Sequence, residues 1–474
     1  MLASLVTFLS YVVPFIAALG LLIAVHEYGH YRIAVACGVK VIRFSVGFGK
    51  PLFRWKSRRP HPGQDTEFVI AAFPLGGYVK MLDEREAPVA AEERHRAFNT
   101  QRLRSRVAIV AAGPLANLLL AVLLYSLVNW IGMDEPQALL ARPLVGSMTE
   151  QAGLVGGERV LRAGTDEQLD VVQSFTDLSM RVLRNAIDGR DLTLEVSGPL
   201  GQGVRTTVLP LSRVGGGQPD AELFRKIGVV GPLTRPEIGD VMPGGAAARA
   251  GLRSGDKVQR IGETAIIDGA QLWSTIRSSV ALTPGQSGAP DAAQPQTRLW
   301  TVERDGQRLS LSVTPDVVAE GASKVGRIGA FVGSQPETVK VRYGVADGLW
   351  RAAVRTGDES VFTLRMFYKM VTGQVSLKNL SGPLSIAEYA GKSAQRGLAW
   401  FIAFLAVVSV SLGVLNLLPL PVLDGGHLMY YLWEGLTGKS VSDAWMERLQ
   451  RGGIALLLVM MSIAFFNDVT RLFG

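Results

Sequence analysis

Apolar residues in this chain are bunched into blocks rather than spread evenly. Four uncharged blocks stand out: Leu2–Val25, Val107–Met133, Leu398–Leu418 and Gly453–Phe466. A helix needs about 20 residues to cross a hydrocarbon core of roughly 30 Å, so the last block must extend at each end to span. The first has no basic stretch ahead of it and is too long for the apolar part of a cleaved leader, so it is expected to be a retained span.

Between the first two blocks the pattern changes. "VIRFSVGFGKPLFRW" and "TEFVIAAFPLGGYVKML" are rich in β-branched and aromatic residues and are broken by Gly and Pro. They predict strands. Their apolar character points to a small sheet packed against, or dipping into, the membrane interface. Further on, "VADGLWRAAVRTGDESVFTLRMFYKMV" (345–371) alternates apolar and charged residues at helical spacing. That predicts a helix on the membrane surface ahead of the third span, or one packed on the segment before it.

That segment contains an internal repeat. "VGSMTEQAGLVGGERVLRAG" (145–164) matches "IGDVMPGGAAARAGLRSGDKVQRIG" (238–262), with A-G-L-x-x-G-(E/D)-(R/K)-V shared at Ala152–Val160 and Ala250–Val258. Copies about 100 residues apart imply two related domains, since solenoid periods run to roughly 20–50 residues. The pattern resembles the turn before a core strand in circularly permuted bacterial PDZ domains. Such domains receive an extended peptide on a strand edge and its carboxylate on backbone N–H groups. "KIGVV" (226–230) is a candidate carboxylate loop for the second copy, and "TPGQSGAPDAAQPQT" (283–297) reads as a loop insertion.

Charge sets the orientation. Residues 31–106 hold 15 Lys/Arg against 7 Asp/Glu, and 15 − 7 accounts for the whole net charge of +8. A basic segment between two spans is the positive-inside pattern, which puts it in the cytoplasm and the long 134–397 segment on the other side. It gives no support for nucleic-acid binding. Cys37 is the only cysteine, so no intrachain disulfide is available.

The chemistry lies where the first block ends, in His26-Glu27-Tyr28-Gly29-His30. Ionisable groups at membrane depth oppose insertion and mark function. H-E-x-x-H on a helix puts two imidazoles on one face for one metal ion, with Glu27 placed to deprotonate a water. Two His ligands, a third protein ligand and one open position make a catalytic zinc site. "LGVLNLLPLPVLDGGHLMYY" (412–431) offers the third ligand. Pro419 and Pro421 bar a regular helix there. Gly425 and Gly426 would permit a tight turn aiming Asp424 at the metal, with His427 as the competitor. For the substrate, residues 74–82, "PLGGYVKML", are the candidate edge strand, with Gly76, Gly77, Tyr78, Val79 and Lys80 in contact.

"HEYGH" followed far downstream by "NLLPLPVLDGG" resembles the site-2 protease family of intramembrane zinc metalloproteases. "GFGKPL", "FPLGGYVKML", "VAIVAAGPLANLLLA", "NLSGPLSIA" and "FND" extend the likeness over nearly the whole chain. The resemblance implies one Zn2+ per chain held by His26, His30 and Asp424, Glu27 as the base, and Asn416 and Pro419 beside the substrate. It also implies a bacterial inner-membrane protein acting on single-span membrane proteins: an anti-sigma factor already trimmed by another protease, in the envelope stress response, and remnant signal peptides. The fold expected is a polytopic α-helical membrane protein of four spans, with a membrane-associated cytoplasmic β-sheet and two tandem extracytoplasmic PDZ-like (α+β) domains. Its parts are a first span (1–31), β region (32–104), second span (105–133), PDZ-like domains (134–222 and 223–335), juxtamembrane helical region (336–397), third span (398–421), LDGG segment with a cytoplasmic loop (422–449) and fourth span (450–470). Two rival readings are a metal transporter and a catalytically idle PDZ scaffold. Against them stand a single depth of polar residues, no inverted repeat, and an intact Glu27.

Overall fold

A computed structural model of the protein describes residues 2–58, 63–165, 168–198, 203–214, 221–229, 231–283, 292–320, 323–373 and 382–473. The chain forms two compact units: Met1–Met133 together with Arg342–Gly474, and Asp134–Val341. Four helices in the first unit are long and apolar enough to cross a membrane: Leu9–Ala36, Leu103–Ile131, Leu398–Asn416 and Ala444–Arg471. The first helix does not stop where the apolar block stops. It runs from Leu2 to Ala36, straight through His26, Glu27 and His30. Backbone hydrogen bonds at membrane depth have to be satisfied within the segment, so polar side chains ride on an unbroken helix. The fourth helix, Asp443–Phe473, likewise outruns its apolar block. Near its end Asp468 accepts the backbone N–H groups of Gly382 and Ser385, both at 3.0 Å, and so caps the helix Pro383–Arg396. The first three residues of "NLSGPLSIA" lie outside the described residues.

The amphipathic segment forms one helix, Val345–Val371. Its inner face packs on the second and third spans, with Ala352 buried among Ala121, Tyr125, Ala406 and Val410. The Tyr125 hydroxyl donates to Glu359 at 2.5 Å, and the Arg355 guanidinium lies 4.2 Å from the Tyr125 ring centroid. Trp350, Phe362 and Tyr368 are exposed.

Both predicted strands form, as Val41–Lys56 and Glu67–Met81. Each bends back on itself. Residues 43–46 pair with 67–70 on one side and with 77–80 on the other, while 51–56 pair with 67–71. The result is one sheet of four stretches side by side, 51–56, 67–71, 43–46 and 77–81, and among the described residues the last has a partner on one side only. The sheet packs on the end of the first span through Tyr31, Ala34, Val39, Val41, Phe44 and Ile109. Phe48, Leu52, Phe53, Trp55 and Phe73 are exposed, an apolar surface suited to a membrane interface. Within 74–82, the side chains of Pro74 and Leu75 lie outside the described set.

In the second unit the repeat becomes two copies of one architecture. Each is a four-stranded antiparallel sheet ordered second–first–third–fourth. The strands are Arg159–Thr165, Gln168–Val171, Leu192–Ser197 and Val204–Leu209 in one copy, and Lys257–Ile261, Thr264–Ala265, Arg298–Arg304 and Gln307–Val313 in the other. A helix joins the second and third strands of each, Phe175–Asp188 capped by Ser174 and Gly269–Arg277 capped by Asp268.

Two expectations change. Leu223, Ile227 and Val229 pack in the core of the first copy, with Leu178, Leu192 and Leu194. The boundary at 222/223 therefore falls too early, and "KIGVV" belongs to the first copy; its last residue, Val230, lies outside the described residues. The reason is burial, because this stretch closes the first core. The matching place in the second copy is taken by Ile328, in "RIGAF" (327–331). In the 283–297 stretch, residues 284–291 lie outside the described residues, while Ala292–Pro295 pairs with Val280–Thr283 as a two-stranded ribbon.

Candidate metal centre

Helical periodicity puts His26 and His30 one turn apart on the first span. Their Nε2 atoms lie 3.2 Å from each other. Asp424 Oδ2 lies 3.2 Å from the Nε2 of His26 and 3.5 Å from that of His30. Asp424 reaches them because the third span ends at Asn416 and a new helix starts at Asp424 itself. Gly425 and Gly426 work differently from the expected turn. Both are helical, and neither has a positive φ. A Cβ on Gly425 would lie 2.1 Å from the Leu418 carbonyl oxygen, and one on Gly426 2.3 Å from that of Leu420. They are needed because the helix start is pressed against the preceding loop. His427, the competing ligand, packs its ring edge-on to Tyr430 and is not part of the converging set. The new helix is pinned to the second span by Arg106, which donates to Glu434 at 3.1 Å and lies over the Tyr431 ring.

The second span supplies a cradle that the sequence reading missed. His30 Nδ1 donates to the Ile109 carbonyl at 2.8 Å. This fixes the proton on Nδ1 and leaves the Nε2 lone pair facing His26 and Asp424. A Cβ on Gly113 would lie 2.2 Å from His30 Nε2, so no larger residue leaves room for the imidazole. Asn117, fully buried, has its Nδ2 at 3.3 Å from His26 Nδ1. Ile109, Gly113 and Asn117 are four apart, one stripe of a helix. A signal was present, since Asn117 is the polar residue in the otherwise apolar stretch 107–124.

With each imidazole proton on Nδ1, as the Ile109 carbonyl already holds it in His30, the three converging atoms are all acceptors. Such a cluster is unfavourable unless a cation lies at its focus. Zinc fits on the geometry of the donor set. Bonds of about 2.0–2.1 Å in a tetrahedron separate neighbouring ligand atoms by roughly 3.3 Å, and the three edges here are 3.2, 3.2 and 3.5 Å. Two imidazole nitrogens and one carboxylate oxygen leave a fourth position for water or substrate.

Glu27 and the sheet edge meet beside this cluster. A Cβ on Gly77 would lie 2.8 Å from Ile23 Cγ2 and 2.9 Å from Glu27 Cγ. Gly76 precedes it with φ +117°. Tyr78, Val79 and Lys80 continue the edge, opposite Ser45, Phe44 and Arg43. Asn416 closes the third span and Pro419 lies exposed on the loop to Asp424; neither belongs to the converging set.

Comparison with known proteins gives a consistent picture. The family described as Peptidase family M50 matches residues 14–460. The chain is 38% identical over 481 residues to the regulator of sigma-E protease RseP of Escherichia coli K12, covering 98% of this chain and 100% of that protein. It is 38% identical over 471 residues to the protease RseP of Yersinia pestis, with 97% and 98% covered. A protein of Ralstonia nicotianae provisionally designated a zinc metalloprotease is 42% identical over 478 residues, with 98% of each covered.

Proposed function

The chain belongs to peptidase family M50 and is a zinc metalloprotease of the membrane, and on that premise we propose that it hydrolyses peptide bonds within or near the transmembrane segment of single-span membrane proteins. One observation carries the reading: three metal-ligating atoms converge at the end of a span, with Glu27 and an open strand edge beside them.

His26, His30 and Asp424 would hold the ion. An ion held there would supply Lewis acidity toward the scissile carbonyl and a water made nucleophilic near neutral pH. Glu27 accepts a proton from the attacking water and passes it to the leaving amine. A transmembrane helix shields its peptide groups by hydrogen-bonding them internally, so a stretch must unwind before attack. Unwound backbone needs new partners, and residues 77–81 offer unpaired groups next to Glu27. Asn416 and Pro419, on the approach to Asp424, would contact the same stretch.

The motif resemblance implies a finer reading, in which the substrate is an anti-sigma factor of the envelope stress response or a remnant signal peptide; of the relatives' names, only the mention of sigma-E bears on it. The basic 31–106 segment supports a cytoplasmic position for the site, with residues 134–341 in the periplasm of a bacterium. The two repeated copies, PDZ-like by motif, are inserted between the second and third spans and act as a gate against bulky substrates. If so, deleting residues 140–330 lets the enzyme cut a substrate that still carries a large periplasmic domain. Loss of activity on trimmed substrates instead means recruitment, and ends the gating idea.

The central test uses purified protein and a single-span substrate, with and without a zinc chelator. Cleavage should vanish with the chelator and return with zinc. Glu27→Gln should lower cleavage by about 10²–10⁴-fold, the range for a lost general base, while zinc content stays at wild-type level. Loss of zinc from Glu27→Gln would overturn the role of base.

A further inference from the structure

The second span carries a buried polar side chain that the chemistry above leaves without a task. Asn117 has 0% exposure, and its Oδ1 has no hydrogen-bond partner. Leaving a buried carbonyl unpaired costs about 1–3 kcal/mol. Its Nδ2 points at His26 Nδ1, 3.3 Å away. In that pairing the amide donates, Nδ1 accepts, and the imidazole proton is on Nε2, facing Asp424 Oδ2 at 3.2 Å. An ion at the focus of the site demands the other tautomer, with Nε2 free and the proton on Nδ1. A half-turn of the amide exchanges its nitrogen and oxygen with little change of shape. Oδ1 then accepts the Nδ1 proton and has its missing partner.

We propose that Asn117 is a positioning residue for His26, an amide that holds the ring in either tautomer and, by accepting from Nδ1, presents Nε2 to the metal. The proposal rests on the metal-centre reading given above. It also explains an asymmetry between the two histidines. The His30 ring is held by a backbone carbonyl, that of Ile109, which accepts in every state. The His26 ring is held by a side chain that can switch role. Asn117 is held in turn through its backbone carbonyl, which accepts from the Ser409 hydroxyl of the third span at 2.7 Å. The orientation of His26 therefore depends on the packing of the second span against the third, the span whose end leads to Asp424.

The test is zinc affinity in the full-length, detergent-solubilised protein, measured by competition with a chromophoric chelator. Partners that orient a ligating histidine typically contribute 10–100-fold in metal affinity. Asn117→Ala and Asn117→Leu should weaken zinc by that factor while the melting temperature of the zinc-free protein stays at the wild-type value. Asn117→Asp keeps the acceptor and should bind zinc within a few-fold of wild type. Unchanged affinity in Asn117→Ala overturns the proposal, as does a loss in Asn117→Asp as large as in Asn117→Leu. If the aspartate variant does not fold, Asn117→Ala decides. Weakened zinc with unchanged zinc-free melting supports the proposal, and a matching fall in both overturns it, because the role is then packing. His26→Ala separates the two levels: if it keeps full zinc affinity, the metal-centre reading itself has failed. If it loses zinc while Asn117→Ala does not, only the positioning role has.

Discussion

Asp424 and Asp256 are both inward-facing carboxylates next to a turn, one in each unit, and their surroundings are opposite. Asp256 is met by donors. Arg304 gives it two hydrogen bonds, at 2.6 and 2.7 Å, and the Arg253 backbone N–H a third at 2.8 Å. The first copy repeats this solution with Glu158, which accepts from the Val155 and Gly156 amides at 2.9 and 2.7 Å and from Arg205 at 3.2 Å. Asp424 is met instead by imidazole nitrogens, one of which has its proton committed elsewhere. A carboxylate that the protein satisfies fully is a structural device, and one that it leaves facing an imidazole lone pair is open to a cation. The motif A-G-L-x-x-G-(E/D) encodes the first kind twice, and LDGG encodes the second once.

The comparison is sharpened most by removing Asp424. Asp424→Ala should lose bound zinc and with it cleavage, by more than the roughly 10–100-fold that changes behind the ligands cost. Metal analysis and cleavage of a single-span substrate check both. Zinc retained at wild-type level would make Asp424 another closed structural carboxylate.

A smaller effect belongs to the strand edge beside the site. Proline removes a backbone donor and fixes φ, so one of Tyr78→Pro and Val79→Pro should hurt more than its neighbour, since alternate N–H groups point the same way. Each lost backbone bond contributes on the order of 1 kcal/mol, and an unpaired buried carbonyl costs up to about 3. Cleavage should fall roughly ten- to a hundredfold in the worse variant, with zinc content unchanged. A substrate already carrying helix-breaking residues near the scissile bond should lose less than a leucine-rich one. Equal losses would leave the strand as scaffold.

The smallest effect on cleavage belongs to Asp256. Burial pushes its carboxyl up, but the Arg304 guanidinium and the Arg253 amide outweigh that and hold it below the usual carboxylate range. A folded value below the unfolded value of about 3.9 means stability that is complete at higher pH and lost as pH falls through the folded value. Asp256→Asn should remove that acid-sensitive part. It should also destabilise the second copy by about 1.5–3 kcal/mol, the worth of hydrogen bonds to a charged group. Hydrogen exchange over residues 238–332 of the intact protein reads this out. Cleavage of a trimmed substrate should stay within about twofold, and zinc should not change. A loss of zinc in Asp256→Asn would erase the distinction between the two carboxylates.

What the sequence determined by itself were the features carried by local pattern. The four spans follow from length and hydropathy, the helix Val345–Val371 from its periodicity, and the His26–His30 pair from helical spacing. The two copies follow from a motif whose residues act on their own neighbourhood, as Glu158 and Asp256 do on amides two or three residues away. Tertiary structure alone decided what depends on approach between distant segments. The convergence of Asp424, and not His427, with His26 and His30, the need for Gly425 and Gly426, and the passage of Gly77 against Glu27 are matters of distance between elements, which no pattern within one element encodes. The same holds for "KIGVV", whose place was set by which core still had room for Ile227 and Val229. Ile109, Gly113 and Asn117 were hidden for the same reason. A backbone carbonyl, a missing side chain and one amide acquire their chemistry only when a second helix lies within hydrogen-bond reach.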